Sequence, residues 1–168
     1  MNNKENAICF SGHRSERLPQ NKEQLRKLKE ILWEEINKAI LDGVDTFYFG
    51  ACYGFDLLCA DVVLKLKKDI TYKDMKEITL IAVIPFEEQA KNWDEVNRDN
   101  YYDILSQCDK VITLNTCYRQ GCYKDQNRYM VDRSSKMICY YDSSKRKTVY
   151  TVKYAELKNL QIINLYGN

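Results

Sequence analysis

The sequence predicts an α/β, Rossmann-like fold: a doubly wound, mainly parallel sheet of about six strands with helices on both faces, in a single domain over residues 1–168. Three observations carry this. Short apolar runs alternate with longer segments whose apolar residues recur at helical spacing. The run Ile78–Ile84 is almost unbroken, as strands buried on both faces of a parallel sheet are. Gly, Arg, Asp, Asn and Tyr gather in the segments that follow strands, whereas those that precede strands are ordinary charged surface.

Each element has its own signal. Ala7–Phe10 reads as the first strand, and Leu25, Leu28, Leu32, Ile36, Ala39 and Ile40 then share one face of a helix that Asp42-Gly43 ends. Thr46–Phe49 is the second strand, breaking at Gly50. Leu57, Leu58, Val62, Val63, Leu64 and Leu66 carry the next helix to a cationic end at Lys67-Lys68, which suits the helix dipole. A charged loop, Asp69–Glu77, leads to the strand Ile78–Ile84, which Pro85 stops. The remaining units are a helix near Asp94–Gln107, a strand Lys110–Leu114, a helix near Asp125–Ser134, a strand Lys136–Tyr141, a helix Thr148–Asn159 and a strand Gln161–Leu165. Right-handed crossovers then point to the strand order 3-2-1-4-5-6, which reverses between the first and fourth strands.

Composition narrows the partners. With 26 basic and 24 acidic residues interleaved, the net charge is only +2, and no broad field favours extended nucleic acid or an anionic membrane. No stretch approaches the roughly 18 apolar residues of a membrane span, and no secretory leader is evident, so a cytoplasmic protein is expected. The 7 cysteines, an odd number without framework spacing, read as reduced thiols. Cys117 and Cys122 have no second pair near them and His13 is the sole histidine, so neither metal nor cofactor is expected.

In such a sheet ligands bind beyond the carboxyl ends of the strands. After the first strand, Ser11-Gly12-His13-Arg14 supplies an arginine that can clamp phosphate and a histidine suited to hydrogen bonding or general acid/base work. The bland alternative is a turn-satisfying histidine and a solvated arginine. After the second strand, Gly50-Ala51 through Gly54-Phe55-Asp56 lets a ligand approach the backbone at a helix start. A simple tight turn explains it equally well. Asp56 would repel phosphate there, but can cap the helix or accept hydrogen bonds from ribose hydroxyls. Trp93 and Tyr118 are candidates to stack on a base, and Asn127, Arg128 and Thr148 complete the ligand-binding set. Arg128 and Asp132 could equally form a helix-surface ion pair.

Taken in order, these segments resemble the YpsA-like family of the SLOG superfamily, Rossmann-like domains related to the LOG phosphoribohydrolases and DprA. The resemblance also rests on Ile84-Pro85-Phe86 through Gln89 and Trp93, on Asn127–Asp132, and on Thr148–Ala155. It implies binding of a small nucleotide-derived ligand, such as an ADP-ribose-type or cyclic nucleotide signal. The Gly-Gly-x-Gly-Thr-x-x-Glu sequence of LOG enzymes is absent, and Lys145-Arg146-Lys147 stands where relatives often carry a Gly pair.

The leading expectation is therefore a protein that senses or sequesters such a ligand, by analogy a regulatory or phage–host signalling protein. The second is an N-glycosidic hydrolase, with His13, Asp56 and Asp132 as catalytic candidates. A protein-interaction module is the third. A homo-oligomer is compatible with each, since Rossmann-like domains often pair through a helix face.

Overall fold

A computed structural model describes residues 3–69, 77–144 and 147–167. The described residues build six parallel strands and five α-helices: β1 (Ala7–Gly12), α1 (Lys22–Leu41), β2 (Thr46–Phe49), α2 (Phe55–Lys68), β3 (Thr79–Ile84), α3 (Glu95–Gln107), β4 (Lys110–Thr113), α4 (Cys122–Asp132), β5 (Lys136–Tyr140), α5 (Lys147–Leu157) and β6 (Gln161–Asn164). Part of the charged loop, residues 70–76, lies outside the described residues.

Local chemistry sets the helix starts. Asn21 caps α1 by accepting from the Glu23 and Gln24 backbone N–H groups at 2.8 and 3.3 Å, and Asp94 caps α3 by accepting from Asn97 N–H at 3.0 Å. Helix α4 begins three residues earlier than the apolar pattern suggests, because left-handed Gly121 (φ 87°) turns the chain directly into it.

The sheet order is β4-β3-β2-β1-β5-β6, which corrects the expected 3-2-1-4-5-6. Three successive crossovers, through α1, α2 and α3, step in one direction, so right-handedness puts all three helices on one face. The chain then returns past β1 through α4 and continues through α5 on the other face. The reversal thus lies between β1 and β5. Strand alternation serves both layers: Ile8, Phe10, Phe47, Phe49, Leu80 and Ala82 pack under α1–α3, while Ala7, Cys9, Tyr48, Ile81, Val83 and Met137 pack with Met130, Val131, Val152 and Ala155 of α4 and α5. Asp109 secures the added edge, accepting from Leu80 N–H at 2.8 Å and from Lys67 Nζ at 2.6 Å.

Candidate functional site

Beyond the strand ends at the reversal point lies a cavity of about 600 Å³. The end of β1 and its loop contribute Ser11, Gly12, His13, Arg14 and Arg17. The β2–α2 turn contributes Cys52, Tyr53 and Asp56, and Gln89 enters from the loop after β3. Tyr123, Gln126 and Asn127 of α4 and Lys147, Thr148 and Thr151 of α5 close the opposite side. Residues at the N-termini of α2, α4 and α5 therefore all line one space, where free N–H groups and helix dipoles favour an anion.

Two glycines make the close packing around this space feasible. A Cβ on Gly54, whose φ is 103°, would lie 2.5 Å from Ser15 N, so only glycine lets the β2–α2 turn nest against the β1 loop. A Cβ on Gly50 would lie 2.7 Å from Gln126 Nε2. Gly50 and Ala51 are buried behind the cavity rather than lining it, and Ala51 itself has φ 59°.

His13 is buried at the cavity wall and held from two sides. Its Nε2 faces Asp142 Oδ1 at 3.0 Å, and Thr148 Oγ1 lies 3.4 Å from its Nδ1. Asp142 also pairs with Arg17 and accepts from Ser144 N–H at 3.0 Å. Ser144, then Arg17 and His13, hold this carboxyl well below the usual carboxylate range. The Asp142 backbone N–H also approaches the same Nε2 at 3.3 Å, so Asp142 presents both an acceptor and a donor to this ring nitrogen.

Asp56 has the opposite environment. Burial pushes its carboxyl up to about 7, against a lesser opposing pull from the Cys52 backbone N–H, and its Oδ1 is enclosed without a hydrogen-bond partner. Arg14 lies with its guanidinium 5.2 Å from the centre of the Tyr53 ring, and Lys147 Nζ lies 3.9 Å from that of Tyr123. Neither cation belongs to an ion pair among the described residues.

The structure brings together Ser11, Gly12, His13, Arg14, Asp56, Asn127 and Thr148 from the predicted set. Others stand apart. Trp93 packs edge-on against Tyr53 and Tyr101, and Tyr118 packs against Phe86 and Tyr123. Arg128 donates to Tyr150 Oη at 2.8 Å on the outer surface, and does not pair with Asp132. Asp132 accepts from Tyr154 Oη at 2.7 Å and borders a separate cavity that also involves Lys4 and Arg133. Sequence reasoning missed Arg17, Gln126 and Asp142. Only the position of Asp142 right after a strand could have drawn attention to it. Lys145 and Arg146 lie outside the described residues.

The profile of the YspA SLOG family matches residues 8–166. The chain belongs to this family. A UPF0398 protein of Halalkalibacterium halodurans is 29% identical over 143 residues, covering 82% of this chain and 73% of its own. One from Bacillus cereus strain G9842 is 31% identical over 120 residues, covering 70% of this chain but only 62% of its own. In fold, the chain is similar to DNA processing protein A of Helicobacter pylori, with a TM-score of 0.61 over 94% of this chain and 64% of that one. The same protein of Streptococcus pneumoniae gives a TM-score of 0.59 over 92% and 49%. Both are 12% identical, so the likeness is one of fold.

These likenesses correct one expectation. The Helicobacter pylori structure is described for its single-stranded DNA binding mode, so a modest net charge does not license excluding extended nucleic acid as a partner of this SLOG fold. Among the described residues, no helix is long and apolar enough to cross a membrane.

Proposed function

We propose that this SLOG protein binds a small, phosphate-bearing, nucleotide-derived ligand in the β1/β5 cavity and acts in the cytoplasm as a sensor or sequestering protein for it. The observation that carries this reading is the pairing, in one cavity, of two cations outside ion pairs, Arg14 and Lys147, with the enclosed, unpartnered acceptor of Asp56. Cations and helix N-termini suit phosphate, and a carboxylate suits sugar hydroxyls. A volume of about 600 Å³ falls in the range of small-molecule sites.

Turnover is the second reading, favoured by one observation: a carboxyl raised to about 7 lines the same cavity as the buried His13. Such a group can donate or accept a proton near neutral pH, as hydrolysis of an N-glycosidic bond requires.

Melting curves with AMP, NAD, ADP-ribose, cyclic dinucleotides and a short single-stranded DNA, followed by chromatography of the recovered small molecule, separate these readings. Binding at a hundredfold excess over Kd adds about 2.7 kcal/mol. A shift with intact nucleotide recovered supports binding alone, and a released base establishes turnover. Arg14→Ala is expected to weaken nucleotide binding at least about tenfold. Unchanged affinity refutes this placement of the ligand, and a response to DNA alone refutes the small-ligand reading.

A further inference from the structure

Hydrogen bonds at the cavity floor restrict which groups a ligand can present there. Gln126 is buried on α4, and its Nε2 donates to Gly50 O and to Val83 O, both at 2.8 Å. A primary amide has two N–H hydrogens and one oxygen, so both donors are committed. Two facing carbonyl oxygens also fix which end of the amide is nitrogen, because an oxygen in that place would meet only acceptors. Gln126 therefore offers the cavity that it lines an acceptor and nothing else.

Gln89 repeats the pattern, with its Nε2 3.3 Å from Gly50 O and 3.5 Å from Tyr101 Oη. Asp56 belongs to the same cluster: the point where a Gly50 Cβ would stand lies 2.7 Å from Gln126 Nε2 and 3.3 Å from Asp56 Oδ2. Asp56 Oδ1 is enclosed and without a partner. A buried acceptor left unpaired is unfavourable by about 1–3 kcal/mol, a penalty that a ligand donor would relieve.

We infer that Gln126 and the ionised Asp56 form an acceptor floor that selects ribonucleotides by taking the 2′- and 3′-hydroxyls of the ligand's ribose. This rests on the reading of the cavity as a nucleotide site. The edges of adenine place an acceptor beside the donor, so this floor would leave a ring nitrogen unpaired. Guanine does present adjacent donors, but the rings available for stacking a base, Tyr53 and Tyr123, accompany Arg14 and Lys147. Base and phosphate therefore go with that cationic, aromatic wall, and the sugar goes to the floor. Gln126 is a specificity residue here, held in place by the backbone of β3 and of the β2–α2 turn.

The test is calorimetric titration of the full chain with AMP, 2′-deoxy-AMP and 2′-deoxy-GMP. AMP is expected to bind at least about tenfold more tightly than 2′-deoxy-AMP, since losing one hydroxyl leaves an acceptor unpaired. Asp56→Asn, checked for folding by its melting curve, is expected to weaken AMP about tenfold and to change 2′-deoxy-AMP by less than about twofold, shrinking the discrimination. Equal affinities for AMP and 2′-deoxy-AMP, both still weakened by Arg14→Ala, overturn the ribose assignment and leave the proposed function standing. Tighter binding of 2′-deoxy-GMP than of AMP gives the floor to guanine and also overturns it. Failure of these three nucleotides and of NAD, ADP-ribose and cyclic dinucleotides to bind overturns the nucleotide reading itself.

Discussion

Asp56→Asn is expected to stabilise the protein at mildly alkaline pH while leaving it nearly unchanged near pH 4. Burial raises this carboxyl from 3.8 to about 7, so the folded state holds its proton more tightly than the unfolded chain does. Stability from this group is present in full below the unfolded value and declines as pH rises toward the folded one. At 1.36 kcal/mol per pH unit, the rise from 3.8 to about 7 sets an upper bound of about 4 kcal/mol, of which roughly 2 kcal/mol is lost between about pH 5 and 7. Asparagine has nearly the same shape and no charge to desolvate, so the variant lacks this decline. For a chain of this size each kcal/mol shifts Tm by about 2–4 °C. Tm of the two proteins, recorded from about pH 4 to 8.5, should therefore diverge by up to about 4–8 °C between pH 5 and 7 and run parallel above about pH 8. Other ionisable groups are common to both proteins and cancel in the difference. Curves that stay parallel from pH 5 to 8.5, within about 1 °C, would refute the claim that desolvation outweighs the Cys52 hydrogen bond at Asp56.

Asp142→Asn removes an ionised acceptor from His13, Arg17 and Ser144 and is expected to destabilise the fold by about 1–2 kcal/mol at neutral pH. Because this carboxyl is held below its ordinary value, the wild-type advantage should fade as pH falls below about 4, which urea titrations at several pH values would show. Gly54→Ala, whose Cβ would meet Ser15 N at 2.5 Å, should be destabilised by at least about 2 kcal/mol. Gly121→Ala has a similar φ but open space around its Cβ, so it should lose only about 1–2 kcal/mol. Equal urea midpoints for the two glycine variants would mean that the β2–α2 turn does not press on the β1 loop. Arg14 is exposed, so Arg14→Ala should leave Tm within about 2 °C in the absence of ligand while weakening nucleotide binding.

Much of the fold was legible because burial imprints a period on the chain. All six strands and five helices stand where the apolar pattern put them, most ends within two residues, and the unbroken Ile78–Ile84 run became the interior strand β3. The strand order was not legible. Periodicity records which face of an element is buried but not the direction in which its crossover steps, so β4 could be placed on either side of the sheet. The candidate site was legible only in part. The residues just after β1 and at the β2–α2 turn were found because strand ends and glycine turns have local signatures. Trp93, Tyr118, Arg128 and Asp132 carry suitable chemistry, but other contacts engage their side chains away from the cavity lining.

The sequence by itself determined the element types and the loops that follow the strands, and it pointed to the SLOG family, since these depend on local spacing and residue chemistry. Tertiary structure alone decided which of those loops meet. By setting β5 beside β1, it brought Asp142 to His13 across 129 positions and Gln126 to Gly50 across 76. It also left Asp142 ionised and Asp56 raised to about 7, though both carboxylates begin with the same ordinary value. The physical reason is that desolvation and hydrogen-bond partners, which set a side chain's charge, are properties of its neighbours in space and not of its neighbours in the chain.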